Sequence, residues 1–548
     1  MLLLEAVNLK KYYGDRLVLS VPELRIYSQE RIGVVGANGT GKTTLLEILS
    51  GRIEPDCGWV KLHGKCGYLS QLEPPPAVCL DREMAARFSV PTQPHPQMSG
   101  GEQTRFKLAH ILSDPSVHMI FADEPTSSID IAGIELLETM FAEYRGALVI
   151  VSHDRDFLDR ICSQILEVEA GRIKLYPGNY SSYAALKSQE QARQQHEYEQ
   201  YIKERRRLET AAATIKRKSE AIKGPPKRMG NSEARLHKMG GQKGKATLDR
   251  AVKNIEKRIE KLEVKAKPYQ SSEIKLDLGS KEQPASRIIV SGKQINKAFG
   301  SKILFRDAEF QIYANSKVAL IGPNGCGKST LLKMITAGES GIKLAHGAKI
   351  GYFSQALDIL DERLSVLENV MSTSRYDQTT VRIILARLLF KRSDVYKPVG
   401  VLSGGERVKA AFAKILTQDF NFLILDEPTN YLDLSSLEAV EAALKEYQGT
   451  MLFASHDRRF ISAVADEIMT VQDYQLIQYR GTYQEYLEHK RSAESTGISG
   501  EQIMVLEHRL AEVISRLSMP TPEDDLEALD HEYQELLTQL KALRSQST

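Results

Sequence analysis

Gly36-Ala37-Asn38-Gly39-Thr40-Gly41-Lys42-Thr43 recurs 286 positions later as Gly322-Pro323-Asn324-Gly325-Cys326-Gly327-Lys328-Ser329. The first copy follows Arg31-Ile32-Gly33-Val34-Val35, a short apolar run that reads as a buried strand. A glycine-rich turn between strand and helix exposes successive backbone N–H groups without side-chain obstruction, and the helix N-terminus adds partial positive charge. That combination cradles phosphate. A repeat of this length is a duplicated domain rather than a solenoid array.

Four further blocks follow each copy in the same order. Gly67-Tyr68-Leu69-Ser70-Gln71 returns as Gly351-Tyr352-Phe353-Ser354-Gln355, and Ser99-Gly100-Gly101-Glu102 as Ser403-Gly404-Gly405-Glu406. Asp123-Glu124-Pro125-Thr126 returns as Asp426-Glu427-Pro428-Thr429, and Ser152-His153-Asp154-Arg155 as Ser455-His456-Asp457-Arg458. The offset grows from 284 at Gln71 to 304 at Ser99, so the second copy carries a 20-residue insertion there. His118-Met119-Ile120-Phe121-Ala122 and Ala147-Leu148-Val149-Ile150-Val151 read as further buried parallel strands alternating with helices, an α/β fold. The twin domains are expected at 1–185 and 286–490.

Between them, residues 201–270 hold 21 Lys+Arg and 8 Asp+Glu, a net +13 inside a chain whose total is only +2. The remainder is therefore at −11, and the molecule is electrically polarised. Tyr201, Leu208, Ile215 and Ile222 recur every seven residues, and Leu248, Val252, Ile255, Ile259 and Leu262 step by fours and threes, the seam of a coiled coil. Lys223-Gly224-Pro225-Pro226 through Gly240-Gly241 is expected to break the helix, so residues 186–285 form a basic helical hairpin with its tip at about 214–246. Helical spacing on either side of Met519-Pro520 predicts a second, acidic hairpin within 491–548.

Composition excludes other classes. No stretch approaches the roughly 18 uncharged apolar residues of a membrane span, and Met1-Leu2-Leu3-Leu4-Glu5 lacks the features of a secretory signal. Cys57, Cys66, Cys79, Cys162 and Cys326 contain no C-x-x-C pair, which suits free thiols in a reducing compartment, the cytoplasm.

The spacing assigns chemistry to both copies. Lys42 and Lys328 reach the β and γ phosphates, while Thr43 and Ser329 ligate Mg²⁺; Thr44 and Thr330 follow in the same cradle. Asp123 and Asp426 end apolar strands and hold the metal's water shell. Glu124 and Glu427, one residue on, stand where they can orient or deprotonate an attacking water. His153 and His456 contact the γ phosphate, and Gln71 and Gln355 sense the metal and the nucleophile. Tyr13 and Phe299, before Gly14 and Gly300, are the candidate adenine-stacking rings.

A Ser-Gly-Gly-Glu block after a P-loop and before Asp-Glu resembles the signature motif of ATP-binding-cassette (ABC) ATPases, over both twin domains. The resemblance implies two cassettes packed head to tail, each ATP held between one P-loop and the other signature. Lys42 and Glu124 then face Ser403 and Gly405, while Lys328 and Glu427 face Ser99 and Gly101. Two cassettes joined by a charged hairpin resemble the ABC-F class of translation factors, and within it the Vga-type antibiotic-resistance proteins. Asp15-Arg16-Leu17, Leu24-Arg25-Ile26-Tyr27, Gly178-Asn179-Tyr180 and Asp394-Val395-Tyr396-Lys397-Pro398 carry that likeness. Only 27 residues separate Gln71 from Ser99, too few for the Arm subdomain of housekeeping members.

The resemblance implies a monomer with an intramolecular cassette sandwich. Its partners would be the 70S ribosome at the E site, P-site tRNA and 23S rRNA, with no membrane. ATP-driven closure would let the hairpin reposition the tRNA and release a drug from the peptidyl-transferase centre. The candidate RNA contacts are Lys216, Arg217, Lys218, Lys223, Lys227, Arg228, Arg235, Lys238, Lys243 and Lys245, binding phosphate rather than stacking on bases. The alternatives are a housekeeping translation factor, a DNA-associated ABC protein and an exporter's ATPase subunit. The first cassette departs from its twin in Thr126-Ser127-Ser128-Ile129-Asp130, against Thr429-Asn430-Tyr431-Leu432-Asp433, so the two sites are not equivalent there.

Overall fold

The computed structural model describes residues 1–70, 73–96, 98–127, 129–222, 231–263, 265, 286–300, 302–354, 357–390, 393–492 and 513, without the side chains of 231–243. In the first cassette, nine strands form one sheet. Its order is Cys57–Leu62, Leu2–Tyr13, Arg16–Tyr27, Arg172–Pro177, Gln164–Glu169, Arg31–Val35, Ala147–Val151, Val117–Asp123 and Lys65–Leu69. The last four of these run parallel, and every residue of Ala147–Val151 is buried, as a sheet covered on both faces requires. The three runs that read as strands in the sequence are these central parallel strands.

The second cassette divides the same plan into two sheets. Lys302–Tyr313, Ile288–Phe299 and Ile342–Leu344 form an antiparallel layer. Ile350–Phe353, Phe422–Asp426, Thr450–Ala454, Lys317–Ile321, Glu467–Gln472 and Gln475–Arg480 form the main sheet. The 20-residue insertion becomes structure. Where the first cassette has one short helix, Arg82–Arg87, the second has Val366–Met371 and Gln378–Arg387 followed by two turns of 3₁₀ helix.

The cassettes also share core. Leu434 of the second packs into the first cassette's apolar cluster, and Ile131 of the first packs against the second's. Each follows an aspartate, Asp433 or Asp130, that caps the helix beginning there, Leu434–Glu446 or Ile131–Glu143.

From the first cassette a single helix, Tyr180–Glu220, leads away for 41 residues, about 60 Å at 1.5 Å per residue. It starts inside the span expected for the cassette because Asn179 caps it, accepting from the Ser182 N–H, and because its first turns are anchored. The Tyr183 hydroxyl and the Lys187 ammonium both donate to the buried Glu167 carboxylate of the strand Gln164–Glu169, at 2.7 and 2.9 Å. Leu208 and Val252 are buried in the contact with the returning helix, Asn231–Glu260, and the Ser219 hydroxyl donates to Asp249 at 2.6 Å.

One expectation is corrected. Gly240-Gly241 does not belong to the break but lies within the helix Asn231–Glu260. An interior glycine costs a helix about 1 kcal/mol relative to alanine, and a helix of 30 residues packed along its partner absorbs these two and Gly244 besides. The Lys223-to-Gly230 part of the break and the expected C-terminal hairpin lie outside the described residues, Val513 excepted. No helix among the described residues is long and apolar enough to cross a membrane.

Candidate nucleotide sites at the cassette interface

Both glycine-rich turns fold as cradles. Gly41 and Gly327 precede the helices Lys42–Leu49 and Lys328–Ala337 with φ of 99° and 110°, a left-handed conformation that a side chain would strain. A Cβ on Gly327 would also come within 2.8 Å of the Phe305 ring. The buried Lys42 ammonium donates to the carbonyls of Gly36 and Ala37 at 2.8 and 3.1 Å, and Lys328 to Gly322 and Pro323 at 2.9 and 3.1 Å. Burial lowers the Lys42 pKa, with the carboxylates of Glu124, Asp433 and Asp123 opposing the shift.

The acidic residues sit at the ends of buried strands. The Ser329 hydroxyl donates to Asp426 at 2.9 Å, and Thr43 makes the matching bond to Asp123. Burial raises the pKa of both aspartates. Glu124 and Glu427 each adopt φ of 48°, a left-handed backbone rare for glutamate. Their N–H groups donate to Val151 and Ala454 at 2.9 and 3.0 Å, tying each glutamate to the strand that leads to its histidine. His153 Nε2 is 3.3 Å from Glu124 Oε1, and His456 Nε2 is 3.3 Å from Glu427 Oε1. Neither contact has hydrogen-bond alignment, so both Oε1 atoms and both histidine Nδ1 atoms are buried without a hydrogen bond. Burial pushes Glu124 up to about 8 and Glu427 up to about 7, and pushes both imidazoles down to about 3. The histidines are neutral at physiological pH.

The opposite cassette closes each site. Ser99 and Ser403 cap the helices Gly100–Leu112 and Gly404–Leu416 in reciprocal boxes with Glu102 and Glu406, so each helix N-terminus is fixed. The Asn38 N–H donates to Asp433 Oδ2 at 3.0 Å, and Asn38 Nδ2 to the Tyr431 carbonyl at 3.0 Å. The Asn324 N–H donates to Asp130 Oδ2 at 3.0 Å. Burial alone would raise Asp433; hydrogen bonds from Ser436 and from the Asn38 N–H outweigh it and hold the carboxyl below its usual range.

Both sites open into one cavity of about 1330 Å³, larger than the roughly 300–1,000 Å³ of a single ligand pocket. Tyr13, Asn38, Gly39, Gly41, Lys42, Thr43, Thr44, Asp123, Glu124 and His153 line it with Ser403 and Gly405. Phe299, Asn324, Gly325, Gly327, Lys328, Ser329, Thr330, Glu427 and His456 line it with Ser99. Gly36, Gly101, Gly322 and Asp426 are not part of this lining, while Gln71 and Gln355 lie outside the described residues. Tyr13 and Phe299 are more than half exposed at their strand ends.

No cluster of three His, Cys, Asp or Glu side chains that could hold a metal occurs among the described residues. One hydroxyl and one carboxylate per site fit Mg²⁺ instead, an ion that keeps several waters and takes phosphate oxygens as ligands. Of the candidate RNA contacts, Lys216, Arg217, Lys218 and Lys245 are exposed. Arg235, Lys238 and Lys243 fall on the returning helix, and Lys223, Lys227 and Arg228 lie outside the described residues.

Sequence reading missed the residues that join the cassettes. Asp130 and Asp433 were legible only as parts of dissimilar segments. Asp130 follows Glu124, and Asp433 follows Glu427, by six residues, an identical spacing inside otherwise different text.

A family model described as ABC transporter matches residues 19–73 and 305–430, and a second of the same description matches 166–277. The erythromycin resistance ATP-binding protein MsrA of Staphylococcus epidermidis is 34% identical over 83% of this chain and 94% of its own length. The ribosome protection protein VmlR of Bacillus subtilis is 29% identical over 98% of both chains. ABC transporter F family member 5 of Arabidopsis thaliana is 30% identical over 90% of this chain and 78% of its own. Among solved structures, the archaeal ribosome recycling factor aABCE1 in complex with stalk protein aP1 superposes with a TM-score of 0.60 at 19% identity, covering 89% of this chain and 92% of that one. The likeness at that identity is one of fold. With two phosphate cradles, two signature helices and reciprocal closure in one chain, the protein belongs to the ABC-F family of ABC ATPases.

Proposed function

We propose that the protein is a ribosome-protection ATPase whose ATP-closed form binds the E site and uses the basic helical pair to reposition P-site tRNA, releasing a drug from the peptidyl-transferase centre. The observation that carries this reading is the joint placement of the two parts. The helix Tyr180–Glu220 is rooted at the cassette interface, where the Tyr180 hydroxyl donates to Glu438 of the second cassette at 3.4 Å, and its distal basic side chains are exposed. Cassette closure and linker direction are thereby mechanically connected.

In each site the P-loop N–H groups and Lys42 or Lys328 bind the triphosphate, and the opposing signature helix directs its N-terminus at the terminal phosphate. Thr43 with Asp123, and Ser329 with Asp426, would hold Mg²⁺, which when bound would neutralise charge on the phosphate oxygens. Glu124 and Glu427 orient the attacking water and accept its proton at the free Oε1. His153 and His456, neutral, donate a hydrogen bond to the γ phosphate. Loss of that phosphate removes what joins the P-loop to the opposite signature, and the cassettes separate.

A housekeeping role is the second reading. The energy-dependent translational throttle protein EttA of Mycobacterium tuberculosis is 29% identical over 92% of this chain. The short connection before Ser99, in which the described residues form the single helix Arg82–Arg87, favours protection. In the test, the double variant Glu124→Gln, Glu427→Gln is expected to retain ATP and accumulate on ribosomes, and the unmodified chain to raise resistance to drugs of the peptidyl-transferase centre. A double variant that sediments free of ribosomes rejects the proposal. Growth defects without drug, and no protection with it, select the housekeeping role.

A further inference from the structure

Two buried ion pairs cross the cassette interface outside the nucleotide cavity. Arg155, two residues after His153, donates to Glu441 of the second cassette at 2.6 Å, with side chains 7% and 14% exposed. Arg458, two residues after His456, pairs with Glu138 of the first cassette, with side chains 4% and 9% exposed. The pairs are pseudo-symmetric: each glutamate lies eight residues beyond the aspartate, Asp433 or Asp130, that bonds the opposite P-loop. Eight residues of helix span about 12 Å. One rigid helix thus touches the other cassette's P-loop at its cap and its histidine loop two turns later.

These pairs are poor glue. Removing two charges from water costs about as much as their attraction returns, and the best-attested use of such a pair is to set register. Here Arg155 Nε and Arg458 Nε are also buried without a hydrogen-bond partner, a further cost. The histidine loop is otherwise braced from its own cassette: Ser152 Oγ accepts from the Asp154 N–H at 3.0 Å and lies 3.0 Å from Thr126 Oγ, while Asp154 caps the next helix through Phe157 N–H. The contact from the other cassette is the one that closure makes or breaks.

We propose that Glu441 and Glu138 are positioning residues acting in trans, each holding the opposite cassette's histidine in its hydrolytic pose through Arg155 or Arg458. Glu441 serves the site of Lys42, Glu124 and His153; Glu138 serves the site of Lys328, Glu427 and His456. The assignment rests on hydrolysis at Glu124 and Glu427. It makes each site's chemistry contingent on the helix that also reads its P-loop, so a half-closed interface binds ATP without cleaving it.

The test uses the full chain and single-turnover phosphate release from radiolabelled ATP, with one site silenced at a time. In the Glu427→Gln background, adding Glu441→Gln is expected to slow the burst at least fivefold with ATP affinity unchanged. In the Glu124→Gln background the same change should leave the burst within twofold. Glu138→Gln should show the reverse pattern. Arg155→Lys, which keeps the charge, should recover part of the rate that Arg155→Gln loses in the Glu427→Gln background. Equal slowing of both sites by either glutamate variant, or no slowing with Arg155→Lys no better than Arg155→Gln, overturns the assignment. Absence of any burst in both single-glutamine backgrounds before further change would instead sink the reading of Glu124 and Glu427.

Discussion

At Glu124 and Glu427 burial does two opposing things. It removes competing water from the carboxylate that must take a proton, and it holds that proton to higher pH, up to about 8 at Glu124 and about 7 at Glu427. A raised folded-state pKa contributes stability at low pH that is lost as pH rises through the folded value. The closed apo form should therefore weaken progressively as pH rises from the ordinary glutamate value of about 4.5 to about 7–8, while the ionised glutamate that the proposed chemistry needs accumulates at the top of that range. Because burial raises both carboxyls above the ordinary glutamate range, phosphate-release bursts should rise with pH when either glutamate alone is intact. A flat profile in both backgrounds contradicts the general-base role. At Gly405 the constraint is steric. A Cβ there would stand 2.7 Å from the Tyr431 carbonyl oxygen and 2.8 Å from Asn38 Nδ2 of the other cassette. Overpacking of that kind costs about 1–3 kcal/mol. Gly405→Ala should reduce closure, read as ATP-dependent compaction in small-angle scattering, by about tenfold while binding of ATP to the isolated P-loops persists.

Two kinds of element transmit the closure. The helix Leu434–Glu446 is capped by Asp433, whose second oxygen accepts from Asn38 across the interface. Asp433→Ala removes a cap worth about 1 kcal/mol together with an inter-cassette bond, so it should impair turnover more than an exposed cap substitution such as Asp377→Ala. Steady-state hydrolysis on matched preparations checks the order. The root of Tyr180–Glu220 is held by the second cassette too: Arg459 bonds Asp156 at 2.7 Å and also engages Asp159 and Ser181. Arg459→Ala should speed amide hydrogen exchange over residues 180–187 without changing exchange in the buried strand Ala147–Val151. Uniform exchange in both would mean that the contact carries no local order.

For the whole molecule, charge polarity governs association. A +13 segment on a body of −11 should favour phosphate surfaces through counterion release and repel them through the cassettes. Ribosome affinity of the ATP-trapped protein should fall linearly on logarithmic axes with salt. Changing Lys216, Arg217 and Lys218 together to Gln should flatten that slope by about 2 to 3, since each phosphate contact contributes about 0.7–0.9. A slope unchanged by the triple substitution would assign binding to other surfaces.

Residue spacing alone determined the duplication, the parallel strands beneath each P-loop and the polar linker, because phosphate cradles, buried strands and helical seams each impose a local pattern on neighbouring residues. It misplaced Gly240-Gly241, since glycine weakens a helix by an amount that packing along a partner helix can offset. Only the tertiary structure decided which groups meet across the cassettes: Asn38 with Asp433, Asn324 with Asp130, Arg155 with Glu441 and Arg458 with Glu138. Those pairs lie 194 to 395 residues apart, and a charge buried against a distant partner leaves no period in the text. Its partner is chosen by how two folded surfaces come together.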